Sequence, residues 1–598
     1  MESRRMRVST LLLTLLFFVS YSAGQGFEQL KEMENSDLQV RQKPDTDALL
    51  ARWLAEEGVT EDTVYAFLYV PASCPRCELG ITTYSKYLKE KGRKFAIISV
   101  FPDKDIAEFY NRKKEYKADY YIYDTSNRYK SIFSFNNINL NSPVLLKISG
   151  KGRVITGFDG MYFYGKLGQQ LLDRTVPMAY KDYNVNVTAD YVEWKYPVEK
   201  AALTELGGDF RDYRLDVSPD APLCEIFRNP YFSGDTFFYP DEILGTVSLF
   251  RKNAADGGFA FAGSMGAAEE EKNMFVDVDS LTMRLLIENN NLFYIVCNAA
   301  MLDDDHIGLS FSLPRVFFES EDNLAIYNEA CILPRRMPGM EVEPCMPLKF
   351  TTKEDKFFYK HFQFSSTGSR LIMPCEKFTW ASSFDGDEYR NDVRYNSFMP
   401  GFYDTETSYL VEIDRRTGKI LRRFGRLDSV ARKTLTGYYY VDAVSSVGGN
   451  ELVYTDGYSG KVYVADTSDV ATEKNRYTIF EIADADLPPV DTTMFYKYEY
   501  AKPYRSVFCR KVEDVRITPE TLYCLVAYGD MSDPNDKRTR YTFVTVDRKT
   551  GERREYRYPE EKGYKVFTRG LREKDGRVYP FQVLKRDGKA LLRVYGEP

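Results

Sequence analysis

The sequence predicts a multidomain protein in which an α/β domain precedes an all-β domain. The chain has 598 residues, more than the ~250–300 at which a single hydrophobic core stops growing, so at least two domains are expected. In the first part, apolar strand-like runs alternate with amphipathic helical segments, which favours a sheet with helices on both faces. After about residue 180 the helical periodicity fades. Short aromatic or β-branched runs separated by turn residues follow, and these predict strands.

Composition excludes several classes of function. Hydrophobic residues make up 43% of the chain and charged residues 28%, with a net charge of −7. Because basic and acidic residues are interspersed, no basic field is present that would bind nucleic acid or anionic lipid. The only histidines are His306 and His361, so the chain has few histidines for a histidine-rich metal site or for a Ser-His-Asp triad. We therefore predict neither a metal site nor a cofactor.

The N-terminal segment has the layout of a signal peptide, which we place at residues 1–24. Three arginines precede an apolar run from Leu11 to Val19, and small residues follow up to a cleavage site near Ala23. A membrane anchor needs about 20 apolar residues, many more than this run provides. The sequence therefore predicts an exported protein, periplasmic or secreted, without a stable membrane span. Residues 25–44 are polar and are predicted to form a flexible lead.

The α/β domain is predicted to span residues 45–178. A helix begins at Asp45 or Asp47 and ends at Gly58. The almost unbroken apolar run Thr63–Val70 is typical of a strand buried on both faces. The later predicted elements are a helix opened by Cys74-Pro-Arg-Cys77, a strand at Lys94–Phe101, a helix from Asp103, strands at Tyr120–Tyr123, Val144–Ile148 and Val154–Phe158, and a helix at Tyr164–Arg174.

Two cysteines at a strand-to-helix junction carry a resemblance to a known family. Cys74-Pro-Arg-Cys77 follows a buried strand and opens a helix, and Ser142-Pro143 stands just before a late strand. This arrangement resembles the thioredoxin superfamily, most closely its exported bacterial thiol–disulfide oxidoreductases, over roughly residues 45–175. The expected reaction is therefore exchange with a protein dithiol or disulfide, a client or a redox partner.

The placement of the motif predicts a role for each of its residues. Cys74 stands at the start of a helix, where the backbone N–H groups and the helix dipole stabilise a thiolate, so it is the predicted nucleophile. The charge of Arg76 should lower the pKa of Cys74 further, and Cys77 is the predicted resolving thiol. The resemblance implies that Pro143 is cis and keeps the thiols from holding a metal. It also implies that Ser142 offers backbone hydrogen bonds to a substrate.

Two positions depart from the family pattern. Ser73 stands where members often have tryptophan, and the buried acid of the preceding strand is absent from the apolar stretch Tyr65–Tyr69. Proton transfer is therefore expected to be slower or to use another group. Two other interpretations of the cysteine pair stay open. It can form a permanent structural disulfide, or it can bind zinc, which would need a second pair at matching spacing.

Four similar hairpins predict the fold of the second domain, which we place at residues 190–598. Each is a strand, a polar turn with glycine and a second strand, and the turn glycines are Gly418, Gly460, Gly551 and Gly588. Repeated hairpins at this spacing favour a β-propeller. The segment around Gly460 resembles the NHL-like and TolB-like propellers. Six blades are favoured, seven are possible, and a pair of β-sandwiches is the main rival.

Two functions follow from this domain organisation. The first is an exported thiol–disulfide oxidoreductase, with the propeller as a scaffold or as a platform that binds clients. The second is a non-enzymatic interaction protein, in which the thioredoxin-like domain only docks and the propeller face binds a peptide or a glycan. Exposure and a low pKa of Cys74 would favour the first function.

Overall fold

The computed structural model divides the chain into two compact units, Met1–Ala189 (unit 1) and Asp190–Pro598 (unit 2). No helix in the described part of the chain is long and apolar enough to cross a membrane. The described residues are 40–71, 79–114, 116–135, 143–159, 166–173, 203–217, 223, 230–241, 246–254, 257–266, 295–302, 306–320, 323–336, 348–350, 357–359, 364–377, 379, 391–492, 500, 503–504, 507–529, 540–587 and 589–597.

Unit 1 contains both helices and strands. The helices are α1 (Asp47–Glu56), α2 (Leu79–Glu90), α3 (Lys104–Lys114), α4 (Arg128–Ser131) and α5 (Lys166–Asp173). The strands are β1 (Val40–Gln42), β2 (Thr63–Tyr69), β3 (Phe95–Val100), β4 (Tyr120–Asp124), β5 (Phe133–Phe135), β6 (Val144–Ser149) and β7 (Val154–Asp159).

The main sheet of unit 1 is mixed and has the strand order β4-β3-β2-β6-β7. Strands β2, β3 and β4 are parallel, whereas β6 runs antiparallel to β2 and β7 antiparallel to β6. Strand β2 is central, and its residues from Val64 to Tyr69 are all buried. This explains its unbroken apolar sequence, because each face of a central strand contacts a hydrophobic core.

Helices cover both faces of this sheet. On one face, α1 contributes Leu50 and Leu54 to a core that also contains Leu68. On the other face, α2 contributes Ile81, Tyr84 and Leu88 to a second core. Their spacing in the sequence, three and four residues apart, places these three side chains on one side of α2, and each is fully buried.

A small second sheet joins β1 to β5 in antiparallel pairing. It includes residues 40–42, inside the segment where the sequence predicted a flexible lead. The reason is a tertiary contact: the Gln42 side chain donates a hydrogen bond to the Gly152 carbonyl at 2.8 Å and accepts one from the Val154 N–H at 2.8 Å. Residues 1–39, which include the predicted signal peptide, lie outside the described residues.

Unit 2 is built almost entirely of strands. Its one α-helix in the described part is α6 (Ser429–Thr434). The strands are β8 (Thr204–Glu205), β9 (Phe210–Asp216), β10 (Tyr231–Ser233), β11 (Thr236–Asp241), β12 (Thr246–Lys252), β13 (Phe259–Gly266), β14 (Ile295–Met301), β15 (His306–Ser320), β16 (Asn323–Arg336), β17 (Leu348–Phe350), β18 (Phe357–Tyr359), β19 (Ser365–Ser366), β20 (Arg370–Lys377), β21 (Ser408–Asp414), β22 (Ile420–Arg426), β23 (Val444–Gly448), β24 (Glu451–Thr455), β25 (Lys461–Asp466), β26 (Asp469–Thr478), β27 (Arg510–Ile517), β28 (Thr521–Tyr528), β29 (Arg540–Asp547), β30 (Arg553–Arg557), β31 (Lys565–Lys574), β32 (Arg577–Arg586) and β33 (Lys589–Tyr595).

These strands form successive, mainly antiparallel groups of four or five, which we call blades; the groups called blades 1 and 6 belong to one eight-stranded sheet. In the described residues they are blade 1 (β10–β13), blade 2 (β14–β17), blade 3 (β18–β22, with β18 and β19 both on the edge of β20), blade 4 (β23–β26), blade 5 (β27–β30, with β8 on its outer edge) and blade 6 (β31–β33 with β9). Each blade contacts the next, and β31 of blade 6 contacts β10 of blade 1. A closed ring of four-stranded sheets is the architecture of a β-propeller.

The ring is closed by the two ends of unit 2. Strand β9 pairs antiparallel with β33, and it also pairs with β13 of blade 1. The hydrophobic cores lie between neighbouring blades, as in the cluster that joins Val453 and Val462 of blade 4 to Val515 and Leu522 of blade 5. A sheet in such a ring is apolar on both faces, which explains the aromatic and β-branched strands of this region.

All four predicted hairpins are present as antiparallel strand pairs. Gly418, Gly460 and Gly551 have φ values of 69°, 73° and 73°, a left-handed conformation that favours glycine. Gly588 lies outside the described residues. Two of the turns have the same construction, because Asp414 and Asp547 each accept hydrogen bonds from the N–H groups two and three residues further on.

Candidate functional site

The predicted redox motif lies between two well-defined elements of unit 1. Strand β2 ends at Tyr69, and helix α2 begins at Leu79. Of the site residues that the sequence predicts, Pro143 is described, and its side chain is buried. The other four lie outside the described residues: Cys74, Arg76, Cys77 and Ser142.

Pro143 lies beside the end of the strand that leads to the motif. Strands β2 and β6 are antiparallel and pair Leu68 with Val144. One step beyond this pair stand Tyr69 and Pro143, which are therefore neighbours at the same edge of the sheet. Strand β2 ends here, and the residues that contain the cysteines follow it in the chain.

A buried polar network lies beneath this edge. The Tyr69 hydroxyl donates a hydrogen bond to Asn111 Oδ1 at 2.5 Å, and Asn111 Nδ2 donates one to Ser99 Oγ at 2.9 Å. Tyr69 and Ser99 are fully shielded from solvent, and Asn111 is 2% exposed. The network ties β2, β3 and α3 together, so it fixes the end of the strand from which the motif continues.

Sequence reasoning missed a second buried polar group, Lys147 of β6. Its side chain is 6% exposed, and its Nζ donates a hydrogen bond to the Leu172 carbonyl at 2.9 Å. Nζ also lies 5.6 Å from the centroid of the Tyr65 ring. Burial, with a further contribution from Arg93, lowers the pKa of Lys147. The signal was present in the sequence, because a lysine within the apolar run Val144–Ile148 has to be buried with that strand.

The ionisable side chains of β2 and β6 determine which groups can transfer protons near the motif. No carboxylate occurs on β2, which agrees with the apolar Tyr65–Tyr69 stretch in the sequence. Lys147 is the buried ionisable residue of β6, but it stands four residues beyond Pro143, a separation of roughly 13 Å along a strand. It therefore cannot exchange a proton directly with a group beside Pro143.

Three buried cysteines of unit 2 are unsuited to thiol exchange. Cys375, Cys509 and Cys524 are buried and outside any disulfide. Burial raises the pKa of the Cys509 and Cys524 thiols. Because the thiolate is the attacking species in exchange, these thiols are unreactive at neutral pH. The burial of Cys524 agrees with its place in an apolar strand-like run of the sequence.

One end of the propeller carries a group of aromatic side chains, which we call the end-face cluster: Tyr439, Tyr440, Tyr458 and Phe508. The Tyr440 and Phe508 rings are stacked with centroids 4.1 Å apart, and Tyr458 packs edge-on to Tyr440 at 5.8 Å. Tyr439 is 48% exposed. These residues come from the connections that precede β23 and β27 and from the turn between β24 and β25. In an antiparallel sheet of four these connections lie at the same end.

Charged side chains lie close to this cluster, and Asp456 among them is buried. Lys511 Nζ forms ion pairs with Asp442 at 2.5 Å and with Glu513 at 3.6 Å. Asp456 accepts hydrogen bonds from the N–H groups of Tyr458 and Ser459, and its burial raises its pKa to about 6. Within the described ranges, no group of three or more histidine, cysteine, aspartate or glutamate side chains is arranged to hold a metal.

Comparison with known proteins gives similarity to solved structures only. No protein-family model matches the chain, and no curated protein matches its sequence. A luciferin-regenerating enzyme has 10% identity and a TM-score of 0.31, and the alignment covers 65% of this chain and 96% of that one. The N-terminal domain of Nup159 has 9% identity and a TM-score of 0.29, with 66% and 97% covered. Sqt1 of Saccharomyces cerevisiae has 10% identity and a TM-score of 0.27, with 62% and 84% covered. At these scores the alignments carry no argument about this chain, and the propeller architecture rests on its own sheet order.

Proposed function

We propose that this chain is an exported thiol–disulfide oxidoreductase whose redox pair is Cys74 and Cys77. The observation that carries the proposal is the pair of elements that flank the motif in the chain, together with the position of Pro143. The cysteines stand between a buried central strand and a helix, and Pro143 lies beside the end of that strand. The thioredoxin-like sequence features imply this same pattern: a strand, the CxxC motif, a helix, and a proline before a neighbouring antiparallel strand.

In this proposal the thiolate of Cys74 attacks a disulfide of a client or a redox partner. A bond forms between Cys74 Sγ and one client sulfur, and the other client sulfur leaves as a thiolate. Cys77 then attacks Cys74 Sγ and releases the client as a dithiol, so the client is reduced and the pair is oxidised. The reverse sequence oxidises a client. Arg76 lowers the pKa of Cys74, while Ser142 and Pro143 bind the substrate backbone.

The reduction potential of the Cys74–Cys77 pair tests this function. The mature full-length protein is equilibrated against glutathione or dithiothreitol buffers, with Cys74→Ser as the control. We expect a potential within the ~−120 to −270 mV range of known exchange catalysts. A potential well below ~−300 mV, or a pair that no buffer reduces, would mark a structural disulfide and contradict the proposal.

Export is part of the same proposal, and a separate measurement tests it. The full-length precursor is expressed in a bacterial host, and the N-terminus of the mature chain is sequenced. We expect cleavage near Ala23 and recovery of the mature chain outside the cytoplasm, in the periplasm or the medium. An uncleaved chain that stays in the cytoplasm would contradict export.

The end-face cluster supports a second candidate function, an interaction protein in which the propeller binds a peptide or a glycan. Exposed tyrosine rings offer a large contact area at a low cost in side-chain entropy. Peptide and glycan arrays would be probed with the wild type and with Tyr439→Ala. Loss of a specific signal in Tyr439→Ala, together with an inert cysteine pair, would favour this function over the first.

A further inference from the structure

The end-face cluster continues into a wider apolar surface at the same end of the propeller. Its Phe508 belongs to a hydrophobic group that includes Tyr500 and Tyr504, and six apolar side chains pack against this group while staying partly exposed: Phe398, Tyr440, Tyr458, Ile482, Leu487 and Val490. The Phe398 and Tyr500 rings lie 5.1 Å apart, which joins the connection before β21 to the connection before β27. Apolar groups that are open to solvent in one continuous patch mark an interaction site, whereas scattered ones need no explanation.

Tyrosine rings form the most exposed part of this surface. Tyr439 is 48% exposed, and its ring lies edge-on to that of Tyr440 with the centroids 4.9 Å apart. Tyr440 and Tyr458 are half-buried, so part of each ring is open to solvent. An exposed tyrosine offers a large contact area and keeps a hydroxyl for hydrogen bonding. A partner can therefore contact these rings at the surface, without entering a cavity.

A segment rich in acidic residues borders these rings. Residues 481–491, which we call the acidic segment, contain no basic residue and four acidic ones: Glu481, Asp484, Asp486 and Asp491. Asp486 is half-buried, and the other three are exposed. The apolar residues Ile482, Leu487 and Val490 of the same segment pack against the hydrophobic group of Phe508. The carboxylates and the aromatic rings therefore share one surface.

The basic residues at this end do not balance the acidic ones. Lys433 pairs with Asp484 at 2.7 Å, but the two side chains are 50% and 73% exposed, so solvent screens the pair. Three other basic side chains form ion pairs with aspartates outside the acidic segment: Arg394, Arg432 and Lys511. Fourteen acidic and seven basic residues, a net charge of −7, lie in the four connections that supply the surface: residues 378–407, 427–443, 456–460 and 479–509. The connections at this end are therefore negatively charged.

We propose that the end-face cluster and the acidic segment together bind a basic peptide. Its arginine or lysine side chains lie over the tyrosine rings, whose faces attract cations, and pair with the exposed carboxylates. Their aliphatic stems pack on the apolar residues of the surface. A neutral glycan would contact the rings but gain nothing from the negative charge. The inference rests on the second candidate function, in which this cluster binds a partner, and adds the chemical class of that partner.

The experiment is a fluorescence-polarisation titration of the mature full-length protein with a labelled eight-residue peptide of alternating arginine and leucine. Two matched peptides carry citrulline or glutamate in place of every arginine. We expect the arginine peptide to bind and the glutamate peptide not to bind. The citrulline peptide should bind at least about 10-fold more weakly, because citrulline keeps the shape of arginine without its charge. Binding of the arginine peptide should weaken as salt rises from about 50 to about 500 mM, since exposed charges are screened.

Matched variants locate the binding on this surface, and all of them change exposed side chains. Tyr439→Ala should weaken binding of the arginine peptide by about 3- to 10-fold, because it removes the most exposed ring. Glu481→Gln combined with Asp491→Asn should weaken it by a similar factor and reduce its salt dependence, because two carboxylates are lost. Two controls should leave binding unchanged. They are Phe210→Ala, at a ring that is 47% exposed on β9, and Glu552→Gln, at a side chain that is 58% exposed in the turn between β29 and β30.

Three results would overturn the proposal: equal affinity for the arginine and citrulline peptides, no binding of the arginine peptide at millimolar concentration, or unchanged binding by a folded Tyr439→Ala protein. A neutral glycan, cellohexaose, separates this failure from failure of the second candidate function. Cellohexaose binding that Tyr439→Ala abolishes, with no binding of the arginine peptide, would refute the basic peptide and keep the interaction function. If neither probe binds, the proposal is wrong and the arrays decide the second candidate function. The redox pair is not involved in any of these results.

Discussion

The closure of the propeller contains a buried ion pair, and removing one partner should open the ring. Arg572 of β31 is fully buried, and its guanidinium is 3.0 Å from a carboxylate oxygen of Glu597, which follows β33 and is 1% exposed. Lys574 adds a second ion pair to Glu597 at 2.6 Å. The Arg572 guanidinium also lies 4.7 Å from the centroid of Phe232 on β10 of blade 1. The pair therefore stands where the last blade meets the first.

Glu597→Gln should destabilise unit 2 by up to about 3–5 kcal/mol. The buried Arg572 then keeps only its 3.7 Å ion pair with Asp235, whose side chain is 65% exposed and screened by solvent. The added contribution of Lys574 is small, since its side chain is 29% exposed and solvent screens the pair. An exposed pair provides the control: Arg554 and Glu552 are 65% and 58% exposed. The same change at that pair, Glu552→Gln, should cost less than about 0.5 kcal/mol.

The assay is urea unfolding combined with hydrogen exchange of the β9 and β33 peptides. Loss of the Arg572–Glu597 pair should lower the free energy of unfolding and speed exchange first in these two strands, which join the ends of unit 2. A Glu597→Gln protein as stable as the Glu552→Gln control would refute the reasoning. So would faster exchange spread evenly over all blades, because the closure would then not be the weakened point.

Three further perturbations test other parts of the structure. Because burial raises the pKa of Asp456 to about 6, its protonated form is favoured in the folded state. The stability that Asp456 contributes is therefore full below about pH 4 and is lost as the pH rises through 6. Asp456→Asn should remove this part of the pH dependence from unfolding curves measured between pH 4 and 7. Gly152→Ala should destabilise unit 1 by more than about 2 kcal/mol in thermal unfolding, since φ is +80° and a Cβ would come within 1.9 Å of a backbone oxygen of α1. The control is Gly92→Ala, where φ is +64° and the space around the residue is open. This change should cost only about 1 kcal/mol. Tyr69→Phe removes the hydrogen bond that Asn111 Oδ1 accepts in the core and should cost about 1–3 kcal/mol in urea unfolding. An unchanged midpoint would show that the network does not hold the end of β2.

Elements with a strong local pattern could be predicted from the sequence. Strand β2 and the inner face of α2 follow from apolar runs and from helical spacing, and the hairpins follow from glycine turns between alternating strands. In each case residues close in the chain decide the structure. The general architecture of unit 2 followed in the same way, because repeated hairpins left few alternatives to a ring of sheets.

Features that depend on distant residues could not be predicted. Strand β1 depends on hydrogen bonds of Gln42 to residues 110 and 112 positions away. In the candidate site, the motif and Pro143 could be recognised from spacing, but the network of Tyr69 depends on an asparagine 42 positions further on.

The cysteines show how the two units differ in chemistry. The chain has nine cysteines, and three buried ones in unit 2 are outside any disulfide. The protein is nevertheless proposed to be exported into an oxidising compartment, where exposed thiols are readily oxidised. Burial explains how these thiols persist, because Cys509 and Cys524 have raised pKa values and no access to oxidants. A thiol reagent applied to the native protein at neutral pH therefore reports on the remaining six cysteines, among them Cys74 and Cys77. Unit 2 can thus accompany a redox pair without its buried thiols entering the exchange reaction.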